Sequence, residues 1–497
     1  MTNQLSPART RFAPSPTGSL HIGGLRTVVF SWLWAKHTGG QFLLRIEDTD
    51  RKRYLPESEE QLKRAIRAIG IEWDEGPDVG GPHAPYSQSE RLPLYHRHAA
   101  ELEAKGVAYR SYLTAEEIEA INAQRQADGE GKLREFRNQP GIDDAARAAA
   151  GAPHTLRLAL RREGQTVLND LIRGPIVFDN GAIGDPDPVL LKSDGFPTYA
   201  LAAMVDDHEM GITHVLRADE WIASGYVHVQ IYEALGWEQP VWVHVPQVLG
   251  PDGKKFSKRH GATGVEEYLA QGFIPEAIVN FLALVGWSYD DKTEIMSIDE
   301  LIERFDIKRI RPSGGMFDQE KLLHFNGVYL RSMSVEELTG RIAPKLSAAG
   351  LVSDPPTAAE LARLHQLVPL IQERIKLLNE APELLEFFFV RPAQYDAALL
   401  VPKKTEPAEA HAALQAARAA MEGIAEWSEP ALEERLRALA DELGLKPGQL
   451  FMTLRVAATG RTVSPGLFET LVALGKDETI ARIGNAASTL APSVAIS

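Results

Sequence analysis

Two short segments carry side chains whose types and spacing suit phosphate chemistry. Residues 11–24 read Arg-Phe-Ala-Pro-Ser-Pro-Thr-Gly-Ser-Leu-His-Ile-Gly-Gly. An extended start, a Pro/Gly turn and a helical continuation would leave free N–H groups and the positive end of a helix dipole where a phosphate is stabilised. Gly23 and Gly24 would let a nucleotide lie on bare backbone, and His21 could donate a hydrogen bond to a phosphate oxygen. The same residues also suit a ligand-free strand-to-helix turn in which proline and glycine serve geometry alone. Residues 250–261, Gly-Pro-Asp-Gly-Lys-Lys-Phe-Ser-Lys-Arg-His-Gly, concentrate Lys254, Lys255, Lys258 and Arg259 between glycines. That stretch is too cationic for a core. It suits either a solvated basic loop or a clamp that closes on a triphosphate and neutralises charge building up on the leaving pyrophosphate.

The elements around these segments alternate. Thr10–Ala13 is a short extended run, His21–Lys36 reads as a helix stopped by Gly39-Gly40, and Phe42–Ile46 is the continuous apolar run of a strand buried in a parallel sheet. A second helix starts at about Pro56, with Leu62, Ala65, Ile66 and Ile69 as its apolar stripe and Gly70 closing it. Strand, helix, strand, helix predicts a doubly wound α/β domain. From 101 to 190 the pattern changes. A helix ending at Gly106 leads into a polar, Gln- and Arg-rich connection and then β-like segments at Thr155–Leu160, Thr166–Ile172 and Pro175–Phe178, which predicts an insertion. Apolar α/β character returns at Val189–Trp221 and Val241–Leu249. Beyond about 330 the chain is rich in Ala, Leu and Glu and reads as entirely helical, with Ser428 placed to cap a helix over Glu429–Leu443 and Pro392, Pro402 and Pro407 marking an internal boundary.

Composition bounds these readings. The chain has 497 residues, 44% hydrophobic and 24% charged, enough for about three or four domains. No apolar run approaches the roughly eighteen residues that span a bilayer, and the N-terminus lacks the pattern of an export signal. Cysteine is absent, which removes disulfides, thiol nucleophiles and cysteine zinc sites. The 14 histidines show no metal-site spacing; His96 and His98 point to different faces of one helix. A formal net charge of -15 weighs against a nucleic-acid partner unless a local basic groove overrides the average.

Together the two segments resemble the paired signatures of class I aminoacyl-tRNA synthetases, with His21-Ile-Gly-Gly24 standing for His-Ile-Gly-His and Lys255-Phe-Ser-Lys-Arg259 for Lys-Met-Ser-Lys-Ser. The departure at Gly24 is familiar in the glutamyl branch. Phe12–Gly18, Leu44-Arg-Ile-Glu-Asp-Thr-Asp50, Asp74-Glu-Gly-Pro77, Leu191–Tyr199, Val205-Asp-Asp-His208 and Ser464-Pro-Gly-Leu-Phe468 resemble bacterial-type glutamyl-tRNA synthetases, in the right order and over nearly the whole chain. The resemblance implies an α/β Rossmann-type catalytic domain (1–100 and 191–222) interrupted by an inserted α+β acceptor-binding domain (101–190). A stem-contact region carrying the basic loop (223–334) and an all-α anticodon-binding half (335–392 and 393–497) would follow.

It also implies roles. Arg11, Ala13, Ser15, Glu47, Tyr199 and Arg217 would hold L-glutamate; His21, Gly23, Gly24, Glu220, Trp221, Lys255 and Lys258 would hold ATP, with His21 and Lys258 catalytic. A dianionic amino acid needs guanidinium forks for its carboxylates and an acidic group for its ammonium, and Arg217 or Arg11 facing the side-chain carboxylate would reject glutamine. Ala203 stands where some relatives carry a polar residue. Mg2+ would accompany the triphosphate, and no protein ligand for it can be named. Ser111 and Leu113 stand where many relatives have zinc cysteines, so no structural zinc is expected. The partner would be tRNA(Glu), with Arg374 helping to read the anticodon so that glutamine tRNA is not charged; alternatively Arg374 is an ordinary helix-surface arginine. A cytoplasmic monomer without membrane association is expected.

Glutaminyl-tRNA synthetases share the catalytic half but carry β-barrel anticodon domains, and a tRNA-modifying relative lacks the anticodon half. A nucleotide-independent RNA-binding protein on the same scaffold would not need His21 and Lys258. If Lys258 neutralises the leaving group, Lys258→Ala lowers the rate of ATP-dependent amino-acid activation by about 10²–10³, measured as pyrophosphate release.

Overall fold

The computed structural model describes residues 6–18, 20–261 and 264–491. Two compact units divide the chain: one comprises the residues up to Ala270 together with Pro275–Leu322, the other Gln271–Ile274 and the residues from Leu323 onward.

In the first unit, strand β1 (Arg9–Phe12) pairs in parallel with β2 (Gln41–Leu44), and helix α1 (Ile22–His37) connects them. α1 buries Leu25, Val28, Val29, Phe30 and Leu33 among others, and its apolar residues run around the helix because it lies inside the unit rather than on it. Helix α2 (Pro56–Arg67) has Pro56 in its first turn and buries Leu62, Ala65 and Ile66 as their spacing predicts. Helix α3 (Leu92–Ala104) leads into the stretch expected as an insertion.

The strands that follow are β3 (Ala108–Ser111), β4 (Thr155–Leu158), β5 (Gln165–Asp170), β6 (Gly174–Asp179), β7 (Val189–Leu191), β8 (His214–Ala218) and β9 (Val241–Val245). They do not all stay within one inserted body. β3, β4 and β7 form a separate antiparallel sheet, whereas the β5–β6 hairpin joins the main sheet in the order β6-β5-β9-β8. The join is narrow: β5 touches β9 in parallel at the single pair Asp170↔Trp242. β5 stops there, short of the predicted Ile172, because the Asp170 carboxylate accepts the N–H groups of Ile172 (2.9 Å) and Arg173 (2.8 Å) and turns the chain. β1 meets β8 through the Thr213 N–H, which donates to the Arg9 carbonyl at 3.0 Å.

The stretch around Ser111 and Leu113 is organised by local contacts. The buried Ser111 hydroxyl donates to the Phe136 carbonyl at 2.9 Å, and Tyr109, Leu133 and Phe136 form a small apolar cluster with Leu113 against it. Arg157 stacks 3.6 Å from the centre of the Phe136 ring, adding a cation–π contact.

The second unit contains no strand among its described residues. Leu414, Leu432, Leu436, Leu450, Leu454, Leu471 and Ile483 form one core between helices Pro407–Glu422, Glu429–Glu442, Pro447–Thr459, Leu467–Leu474 and Lys476–Thr489. The proline-marked stretch after residue 390 is tied to that core by the Tyr395 hydroxyl on the Ala457 carbonyl (2.9 Å) and by Arg391 on Glu478. No described helix is long and apolar enough to cross a membrane.

Ser428 occupies the expected N-cap position of the Glu429–Glu442 helix, but its side chain makes no capping bond. Thr357, before helix Ala358–Gln372, forms a full capping box with Glu360, which reaches back to the Thr357 N–H at 2.7 Å. Thr357→Ala is therefore expected to cost about 1 kcal/mol and Ser428→Ala less than about 0.5 kcal/mol. Denaturant unfolding of both variants measures the contrast, and equal losses would refute this account of the caps.

Candidate active site

A cavity of about 1510 Å³ opens in the first unit where β1, the start of α1 and the ends of β8 and β9 converge. Its lining includes Arg11, Ala13, Ser15, His21, Gly23, Gly24, Glu47, Tyr199, Arg217, Glu220, Trp221 and Lys255. Residues more than two hundred apart in sequence thus share one crevice at the carboxyl ends of parallel strands, where open α/β sheets place their ligands.

One side of the cavity has the features of a nucleotide site. His21 is the extended N-cap of α1 and makes no side-chain capping bond. The first N–H groups of the helix are left without a capping side chain, beside the cavity that Gly23 and Gly24 line. A Cβ on Gly23 would meet nothing within 4 Å, so the space beside it is empty in the folded chain and not filled by packing. Gly24 differs: a Cβ there would come within 2.9 Å of Leu20.

The basic segment begins as a tight hairpin. The Gly250 N–H donates to the Lys254 carbonyl (2.7 Å), and Gly253, at φ 74, donates back to the Gly250 carbonyl at 2.9 Å. A backbone bridge between His21 and Gly264 links the start of α1 to the chain beyond this segment. Lys255 pairs with Glu220 at 3.0 Å across the cavity rim, and both side chains are solvent-exposed. Such a pair holds weakly, so a phosphate can displace it. The backbone of Lys258 lies in a short turn over Lys258–His260, while its side chain falls outside the described part of the structure.

The other side is charged and buried. Parallel pairing continues beyond β1 and β2: the Arg45 N–H donates to Phe12 (3.0 Å) and the Glu47 N–H to Pro14 (2.9 Å), which sets Glu47 beside Ala13 and Ser15. Arg11 reaches Asp207 through both carboxylate oxygens, at 3.0 and 3.2 Å. Arg45, fully buried, pairs with Asp207 (2.8 Å), Asp206 (3.6 Å) and Glu47 (3.0 Å). Burial raises the Asp207 pKa, but Arg11 and Arg45 outweigh it and hold the carboxyl below its ordinary value. Glu47 goes the other way. Burial pushes it up and Arg45, shared with two aspartates, does not bring it back. A cation arriving beside Glu47 would relieve that imbalance. Tyr199 stacks on Trp221 with ring centres 4.1 Å apart and accepts a hydrogen bond from Arg217 at 3.3 Å, joining the two sides.

Arg374 lies in the second unit, exposed just after helix Ala358–Gln372 and outside this cavity. It is close enough to Arg455 for its charge to add to the effect of burial in lowering the Arg455 pKa. Ala203 is fully buried in a hydrophobic core and does not line the cavity.

Sequence reading assigned no role to Arg26, Arg45, Asp206, Asp207, His228 or His244. Arg26 lines the cavity, donates to the carbonyls of Pro246 and Val285, and is brought to about 10 by burial. The signal that could have found these residues is a charged or imidazole side chain inside an apolar run, as in Phe42-Leu-Leu-Arg-Ile46 and Val241-Trp-Val-His-Val245.

Residues 7–324 match the family described as tRNA synthetases class I (E and Q), catalytic domain, and residues 337–487 match an anticodon binding domain. A glutamate–tRNA ligase of Herpetosiphon aurantiacus is 67% identical, the match covering 99% of each chain. One of Roseiflexus castenholzii is 52% identical over 98% of this chain and 97% of its own. A glutamate tRNA ligase of Elizabethkingia meningosepticum, solved in complex with its amino acid, superposes with a TM-score of 0.88 at 35% identity, covering 98% of this chain and 100% of that one. With a catalytic-domain match across the cavity and full-length relatives on both measures, the chain belongs to the class I aminoacyl-tRNA synthetases of the glutamate and glutamine type.

Proposed function

We propose that this protein is a glutamate–tRNA ligase that activates L-glutamate with ATP and transfers it to the 3′ end of tRNA(Glu). The observation that carries this reading is the division of one cavity into two chemistries. Arg11, Glu47, Tyr199 and Arg217 face one side, and the open start of α1 with Glu220, Trp221 and Lys255 faces the other.

In the first step a glutamate α-carboxylate oxygen attacks the α-phosphorus of ATP. The bond from that phosphorus to the β-phosphate oxygen breaks and pyrophosphate leaves. The nucleophile is already ionised, so no general base is required and the protein works by positioning and charge stabilisation. Ala13, Ser15 and Glu47 receive the ammonium group, and the guanidinium groups receive carboxylates. His21 and the N–H groups of α1 meet phosphate oxygens, with Lys255 and Lys258 neutralising the leaving group. In the second step the terminal ribose hydroxyl of tRNA attacks the activated carbonyl carbon, and the bond to AMP breaks. Magnesium is expected to arrive with the triphosphate. Among the described residues no group of three His, Asp or Glu side chains is gathered to ligate a metal, so no step is assigned to it. The helical unit takes the anticodon arm, and Arg374 offers an exposed guanidinium to unstacked bases.

The test is pyrophosphate exchange with ATP and glutamate, with and without tRNA. Exchange that appears only with tRNA supports a glutamyl enzyme whose site is completed by its RNA. Strong exchange without tRNA keeps an activating enzyme of another branch, and none under either condition favours a non-catalytic RNA-binding protein.

A second expectation concerns Asp207. Asp207→Asn strips the shared counter-charge from Arg11 and Arg45 and is expected to destabilise the fold on the order of 3 kcal/mol. In the folded fraction the glutamate KM should rise roughly tenfold or more while the ATP KM stays within about twofold, because only the amino-acid side loses its alignment. Steady-state aminoacylation with each substrate varied in turn makes the comparison, and an equal rise in both KM values would contradict it.

A further inference from the structure

The two arginines of the amino-acid side are electrostatically unlike. Arg11 is held by the Asp207 carboxylate, whereas Arg217, 4% exposed, makes no ion pair among the described residues. Each of the three guanidinium nitrogens of Arg217 nonetheless has a neutral hydrogen-bond partner, which leaves two of its five N–H donors free. Its Nε donates to Nε2 of His244 at 3.0 Å, one Nη to the Tyr199 hydroxyl at 3.3 Å, and the other lies 3.0 Å from Nδ1 of His228.

A guanidinium has only donors, so both imidazoles must present a lone pair to it. For His244 the tautomer is set from the far side. Asp170 Oδ2 lies 2.8 Å from its Nδ1 and also accepts its backbone N–H at 2.8 Å, leaving Nε2 as the acceptor. His228 is buried in helix Gly225–Leu235, and burial together with the Arg217 charge drives it well below the ordinary histidine pKa. The arrangement is built into the sheet: Arg217 and His244 are direct partners in the β8–β9 ladder, and Asp170 reaches His244 from β5.

The consequence is a difference in available charge. Burial opposes the charge on both arginines. At Arg11 the contact with Asp207 outweighs it and the pKa is raised; at Arg217 no carboxylate is in contact and the pKa is lowered. A buried cation surrounded by neutral acceptors keeps its field for an arriving anion, whereas one already paired has little left to give.

We propose that His228 and His244 are specificity-determining positioning residues: by holding Arg217 through neutral acceptors, they leave its charge uncompensated, so the site admits an amino acid whose side chain ends in a carboxylate and rejects its amide. The inference rests on the reading of this cavity as an amino-acid activation site. An amide side chain cannot neutralise Arg217, and placing it there leaves the cation buried without a counter-charge.

The experiment compares His228→Gln with His228→Glu in the full-length protein, measuring tRNA aminoacylation with glutamate and with glutamine. Glutamine offers a neutral carbonyl to Arg217 and glutamate a carboxylate, in side chains of nearly equal size. His228→Gln should keep kcat/KM for glutamate within about tenfold of the parent and retain the preference over glutamine. His228→Glu should lose about a further hundredfold, as a higher glutamate KM at an unchanged ATP KM, and its preference over glutamine should shrink to a similar extent. Equal losses in the two variants, or an equal loss for glutamate and glutamine, overturn the proposal; the latter would mean that Arg217 serves the α-carboxylate. If His228→Glu does not fold, His244→Gln and His244→Glu are read in the same way. If neither acidic variant folds, the neutral pair decides: glutamate preference kept in both supports the proposal, and its loss in either overturns it. Failure of the parent chain to charge tRNA with glutamate would instead overturn the functional reading.

Discussion

The buried ion network around Arg45 is the constraint on which the charged side of the cavity depends. Arg45 contacts Asp206, Asp207 and Glu47, and the two aspartates each anchor something further. Asp206 is held by Arg91 at 2.7 Å, Gln88 at 2.9 Å and the Tyr95 hydroxyl at 2.8 Å, while Asp207 holds Arg11. Burying several ions is unfavourable unless nearly every lone pair and proton finds a partner. Apart from Arg45 Nε, 3.6 Å from Asp206, and Gln88 Oε1 these do, so β1, β2, α3 and helix Tyr199–Glu209 cannot shift independently. Rigidity at this point is what lets a few side chains be presented to a small, highly charged ligand within the tolerance that positioning catalysis requires.

The opposite rim is built from weaker interactions. Lys255 and Glu220 form an exposed pair, the open N-terminus of α1 has no side-chain cap, and the space at Gly23 is unfilled. Such groups exchange partners at little cost. A stiff amino-acid side and an exchangeable phosphate side suit a reaction in which one product, pyrophosphate, must depart while the activated amino acid stays in place.

The inserted stretch is less separate than its composition suggests. β3, β4 and β7 form their own sheet, yet β5 brings Asp170 to the edge of β9, where it fixes the tautomer of His244 behind Arg217. A strand of the stretch expected as an insertion therefore contributes a group that stands behind a residue lining the cavity. Composition could not reveal this. Asp170 lies in an alternating run indistinguishable from any half-buried hairpin strand, and its partner is 74 residues away.

By itself, the sequence determined the features that depend on neighbouring residues. These include the turn and open helix start at Pro14–Gly24, the buried apolar strand at Phe42, the glycine-flanked basic loop at Gly250–Gly261, the helical second half and the family to which all of these belong. Each follows from local backbone preference, periodicity or an ordered set of motifs, which operate over a few residues and survive without knowledge of the fold. The tertiary structure alone decided which charges meet. Arg11 and Asp207 are 196 residues apart, yet one compensates the other, whereas Arg217 finds two imidazoles instead of a carboxylate. Ser428 shows the same limit on a smaller scale, since its position is legible in the chain but the direction of its hydroxyl is not. The physical reason is that Coulomb interaction and desolvation depend on separation in space and on burial, and neither is written in the spacing of residues along the chain.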